Sequence, residues 1–151
     1  MTKIILLTHG KETIVDDEDF EYLNKYKWYI NEHGYAVRTV WKHGRVRIHR
    51  EIMKTPKGMF TDHINGNKLD NRKCNLRTCN HSQNAANAKI YKTNKSNAKG
   101  VSWHKESKKW RATIMVSYHS IHLGLFNTVK DASFAYQNAA KNYFGTFYNL
   151  G

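Results

Sequence analysis

A chain of 151 residues holds one ordinary domain or two small ones. Its formal net charge of +13 is uneven, with +1 on residues 1–48, +7 on residues 49–97 and +5 on residues 98–151. That directs a polyanionic partner to the last two thirds. Two cysteines, Cys74 and Cys79, exclude a disulfide framework. No stretch reads as a membrane span or signal peptide, so a reducing cytoplasm is expected.

In chain order, the apolar run at 3–8 followed by Thr13 to Val15 predicts a hairpin turning at Gly10. Residues 16–26 predict a short helix capped by Asp16 or Asp17, with acids in its first turn and Phe20, Leu23 and Tyr26 on one face. The acids of 16–19 serve the helix end in this reading, with a second metal site as the alternative. Residues 27–30, 35–41 and 46–48 predict strands turning at His33-Gly34 and His43-Gly44. This small sheet is expected to bury Trp28, Tyr29, Tyr35 and Trp41. Arg38, Arg45 and Arg47 are either phosphate contacts or solvated strand residues. A short helix at 49–53, ended by Pro56 and Gly58, leads to a strand at 59–61.

Residues 62–84, DHINGNKLDNRKCNLRTCNHSQN, organise the rest. Asn65, Gly66, Asn67, Asp70 and Asn71 favour tight turns. Adjacent strand residues point to opposite faces, so a distorted strand end is expected to let Asp62 and His63 reach one phosphate. Phosphodiester cleavage needs a base for water, which a neutral imidazole supplies near pH 7. It also needs a cation against the growing charge, for which carboxylate and amide oxygens are suitable ligands.

The segments IHREIM, DHINGN, LDNR, NLR and QNAAN, within residues 48–87, resemble the HNH motif of phage-type homing endonucleases. The resemblance implies a ββα-metal unit, a hairpin and short helix holding one divalent ion per chain, Mg²⁺ or Mn²⁺. It makes His63 the general base, Asp62 and Asn84 the metal ligands, and Asn75 the brace that orients His63. Arg50, Arg72 and Arg77 are expected to grip DNA, with His49 supporting the loop. Asn80, three residues before Gln83, is the expected cap of the motif helix at 80–87. His81 is left out because Asn84 holds the family position. The polar, basic stretch that follows reads as a linker.

Beyond it, residues 100–104, 110–118 and 121–126 read as three strands, the last with Ile121, Leu123 and Leu125 inward. Thr128 to Asp131 forms a capping box, an apolar stripe runs from 132 to 144, and Gly145 stops the helix. KGVSW (99–103), KKWRATI (108–114), HLGLF (122–126), DASFAYQNAA (131–140) and FGTF (144–147) resemble the Apetala-two/ERF-type DNA-binding domain. The resemblance implies DNA contacts from Lys99, Ser102, His104, Arg111, Thr113, Met115 and His122, with Trp103 and Trp110 in the core. Several of these replace the Arg and Trp of the plant domains, so the plant target does not transfer.

The fold expected is α+β: a β-rich supporting region (1–48), the HNH unit (49–87), a basic linker (88–98), and a three-stranded antiparallel sheet packed on one helix (99–151). The expected function is metal-dependent cleavage of double-stranded DNA, as a nick or a double-strand cut, with site preference from the C-terminal module. A non-catalytic DNA-binding regulator on an HNH scaffold is the alternative, and an RNA-directed protein a third class. The expected molecule is a monomer or weak dimer in the cytoplasm of a bacterial or phage-infected cell, with no membrane partner.

Overall fold

Short antiparallel sheets and short helices make up the computed structural model, which describes residues 1–90 and 93–149. The chain divides into two compact units, Met1–Asn80 and His81–Gly151.

The first unit opens with the expected hairpin, β1 (Thr2–Leu6) and β2 (Glu12–Asp16), turning through Thr8–Gly10. Alternation buries Ile5, Thr13 and Val15 and turns Ile4 and Leu6 outward. Helix α1 (Asp17–Leu23) starts at Asp16, but that carboxylate does not cap it. Asp16 Oδ2 instead accepts from Lys73 N at 2.7 Å. Asp17 pairs with Lys3, and Glu18 and Asp19 pair with Lys73. These acids therefore have cationic partners at the helix start.

Strands β3 (Tyr29–Ile30), β4 (Ala36–Val40) and β5 (Gly44–Arg47) form an antiparallel sheet in that order. Trp28 is fully buried with Ile5, Val15, Leu23, Ala36, Ile48 and Leu76, and its Nε1 donates to Leu23 O at 2.8 Å. Emptying such a site to Ala costs about 3–5 kcal/mol. Trp41, expected in this core, is 85% exposed. Strand β4 ends at Val40, whose partner is Gly44, so the ring stands on the turn beyond the last cross-strand pair.

Helix α2 (Ile48–Met53) stops at Lys54, a left-handed residue (φ 46°), two residues before the proline expected to end it. Strand β6 (Phe60–His63) pairs with β7 (Leu76–Cys79), for which the sequence reading gives no range. The N-terminal hairpin is tied to the loop between β6 and β7. Ile14 N donates to Leu69 O at 2.9 Å, and Asn71 N donates to Ile14 O at 2.8 Å.

The second unit holds α3 (His81–Asn87), β8 (Val101–His104), β9 (Lys109–Val116), β10 (His119–Phe126) and α4 (Val129–Phe144). The sheet order is β10-β9-β8. Ala86 of α3 shares a core with Ile114, Ala140 and Phe144, so this helix packs with the C-terminal module. Thr128 Oγ1 accepts from Asp131 N at 3.1 Å and closes the expected cap of α4. Gly100 cannot carry a side chain: a Cβ there would stand 2.3 Å from Thr113 O and from the Tyr136 ring.

Two expectations for this sheet fail. A bulge between His122 and Gly124 reverses the alternation of β10, leaving Leu125 opposite Arg111 and turning Phe126 into the core. Trp103 is 48% exposed, at the hairpin end of β8, edge-on to Trp110. In the expected linker, Tyr91 and Lys92 lie outside the described residues, as do Leu150 and Gly151 at the end. Residues 94–98 form a bonded turn. Asn94 Nδ2 donates to Ala98 O at 2.9 Å, Asn94 Oδ1 accepts from Ser96 N at 2.9 Å, and Ala98 is buried against Val101.

Candidate active site

Asp62 and His63 are consecutive on β6 and point to opposite sides. The expected distortion is absent, since pairing continues regularly through Asp62–Arg77 and His63–Leu76. Asp62 Oδ2 accepts from Arg77 Nε and Nη2, each at 2.9 Å. Both side chains are largely buried, and the charge-assisted pair fixes the carboxylate.

On the other side His63 is 4% exposed. Its ring lies 5.0 Å from that of His49, edge to face, and 6.0 Å from that of Tyr35. Nε2 is 3.0 Å from Asn71 Oδ1. The surrounding network assigns the proton on that ring. Leu69 O can only accept, so Thr13 Oγ1, 2.8 Å away, donates to it. Thr13 Oγ1 then accepts from Asn71 Nδ2 at 2.7 Å. This turns Asn71 Oδ1, an acceptor, toward His63, so Nε2 carries the hydrogen. In the neutral ring the basic lone pair is on Nδ1. Burial lowers the His63 pKa from its ordinary value, against the opposing pull of Asn71, Asp62 and Asp70.

Asn75 braces the loop as expected. Its Oδ1 accepts from Asn65 N at 3.0 Å, and its Nδ2 donates to Asp70 O at 2.7 Å. The side chain hydrogen-bonded to His63 Nε2, a place expected for Asn75, is that of Asn71. His49 is 3% exposed, and burial holds its imidazole down to about 3, with the charges of His63, Arg47 and Arg50 acting in the same direction. Its Nδ1 has no hydrogen-bond partner among the described residues.

The cations expected on DNA divide into two groups. Arg50 donates to Met59 O at 2.7 Å and to Thr55 O and Pro56 O at 3.3 Å, closing the loop after α2. Arg72 forks onto Asp70 at 2.6 Å and holds that carboxyl below its usual range. Arg77 holds Asp62. Lys99 Nζ donates to Ala86 O at 2.9 Å and Asn149 O at 2.6 Å. These four have partners in their own units, as partly buried cations require. Ser102, Arg111, Thr113 and Met115 instead alternate onto the outer face of the second sheet. Ser102 stands opposite Arg111, Thr113 opposite His122, and Met115 opposite Ser120. His104 shares the parity of Ser102. Asn84 lies on α3 and is half-buried.

A hydrogen-bonded imidazole and a fixed carboxylate stand next to each other on one hairpin. The family model described as HNH endonuclease matches residues 54–86. A protein of Acanthamoeba polyphaga mimivirus, named as an uncharacterized HNH endonuclease, is 32% identical over 150 residues. The match covers 94% of this chain and 76% of that protein. The chain therefore belongs to the HNH endonuclease family and is a nuclease. Protein 3.8 of Escherichia phage T7 is 46% identical over 59 residues, 39% of this chain and 49% of that protein. No solved structure matches.

Proposed function

We propose that the chain hydrolyses phosphodiester bonds in double-stranded DNA, with His63 taking a proton from water through Nδ1. The observation that carries this is the relay from Leu69 through Thr13 and Asn71, which holds the His63 proton on Nε2. A buried neutral imidazole is in its basic form at neutral pH. The donor chemistry fits a divalent ion, Mg²⁺ or Mn²⁺. Asp62, a carboxylate held still by Arg77, would hold it, and Asn84 is the family's second ligand by its position in the sequence alone. When bound, such an ion supplies Lewis-acid stabilisation of the phosphate.

Residues 99–151 are the second half of the proposal. A three-stranded sheet backed by one helix, with a basic and polar outer face, suits a duplex groove and resembles the Apetala-two/ERF-type domain. In this reading Arg111, Thr113 and His122 contact base edges and supply site preference. The chain acts as a cytoplasmic monomer or weak dimer.

The test is plasmid cleavage by the full chain with Mg²⁺ or Mn²⁺, beside His63→Ala. Wild type is expected to nick or linearise the plasmid, and the variant to bind without cutting. A wild-type chain that binds duplex DNA and leaves it intact with either ion would favour the non-catalytic regulator. Preference for duplex RNA in competition would change the substrate class.

A further inference from the structure

Trp41 stands outside everything described for the site. It is 85% exposed, and no aromatic ring or hydrogen-bond partner is near it among the described residues. A single exposed ring is ordinary by itself, but this one stands on a basic hairpin tip. Its turn is closed, with His43 N donating to Val40 O at 3.0 Å and Lys42 held at φ 63°. The ring is therefore presented on a fixed hairpin tip.

The surroundings select the partner. From Ala36 to Arg47 the chain has four Lys or Arg and no acid. Arg38 is paired with Glu51 and Arg45 with Glu32, while Lys42 and Arg47 have no acidic partner among the described residues. A basic ribbon with an aromatic tip complements a nucleic acid, whose bases offer flat faces and whose phosphates offer charge. The base of the ribbon also lies near His63: the Tyr35 ring is 6.0 Å from the His63 ring, and the Arg47 guanidinium is 5.9 Å from the Tyr35 ring. Trp41 is six residues beyond Tyr35, so at roughly 3.4 Å per residue its backbone lies within about 30 Å of His63. That corresponds to about nine base pairs of duplex.

We propose that the β4–β5 hairpin is a DNA-binding ribbon and that Trp41 wedges onto a base at an opened step within about nine base pairs of the cut. This rests on the DNA-cleaving reading above. It assigns part of duplex binding to the first unit, independently of the C-terminal sheet.

The test uses the full chain in EDTA and duplexes containing the mapped cleavage site, with 2-aminopurine placed at each position in turn. Wild type is expected to change the fluorescence at one or two positions near the cut. Trp41→Ala should lose that signal and bind about tenfold or more weakly, the scale of base stacking on an aromatic ring, while Trp41→Phe keeps much of both. The ring is exposed, so folding of the alanine variant, checked by thermal melting, should match wild type. Wild type that binds and cuts duplex, with Trp41→Ala equal in affinity and signal, overturns this inference alone. If Trp41→Ala instead abolishes self-association in sedimentation with DNA affinity unchanged, the tip is a protein interface. A wild-type chain that neither binds nor cuts overturns the nuclease reading as well.

Discussion

Around His63, side chains from β2, β6 and the 64–75 loop are joined by buried hydrogen bonds: Thr13, Asn71, Asn75 and Asp70 each have at least two partners. On the outer face of the second sheet, the contact between Arg111 and Ser102 is a long 3.4 Å. The first arrangement fixes one geometry, because a buried polar group that loses its partner costs about 1–3 kcal/mol. The second leaves its side chains able to change rotamer. In the proposed reading, chemistry at one phosphate uses the first and recognition of base edges the second.

That contrast is tested hardest at His63. His63→Ala should lower kcat by about 10²–10⁴, the usual contribution of general acid–base catalysis, with DNA affinity kept. An alanine variant that cuts at the wild-type rate would remove His63 from the chemistry. Asn71→Ala comes next, with an expected kcat loss of about tenfold to a hundredfold and little change in KM, since it frees the ring to place its proton on either nitrogen. A rise in KM alone would make Asn71 a binding residue. In the second unit, Arg111→Ala should leave kcat intact and relax preference at one base position by about 1–3 kcal/mol, if it pairs with guanine. Cleavage maps of variant and wild type that coincide would take base reading away from this sheet.

The smallest effect concerns pH. His49 is held at about 3 in the folded state against 6.5 for a free imidazole. Below pH 6.5 the unfolded chain takes up a proton that the folded chain refuses. Stability present above that pH is therefore lost as pH falls from 6.5 toward 3. The slope from this one group is at most about 1.4 kcal/mol per pH unit. His49→Phe should flatten the slope in urea melts, and a slope equal to wild type would mean that other groups set the acid limit.

What was legible from sequence follows the same division. The hairpins and α4 with its cap were readable because each depends on local spacing, while the Asn75 brace came from the family resemblance. Asn71 was missed as a partner of His63 because, in LDNR, it looks like one more turn former. Thr13 gave no signal, since its partner is 58 residues away. Leu125 was placed inward because a bulge leaves no trace in an alternating pattern. Trp41 was placed in the core by its type, although it lies one residue past the end of its strand. Lys99, Arg50 and Arg72 are given DNA contacts by the family resemblances, and sequence does not show which carbonyls and carboxylates stand beside a cation.

The bonds between Ile14 and the 69–71 loop carry a consequence for how the enzyme comes into being. The second β-strand is made early, yet the loop it holds emerges more than fifty residues later. At about 5–20 residues per second, the start of the chain waits several seconds for that partner. Until then Thr13 has no Asn71 to hold and His63 has no partner on Nε2. If the proposed chemistry holds, a chain that ends early, or one that loses its first fifteen residues, should be inert even when the DHINGN segment is whole.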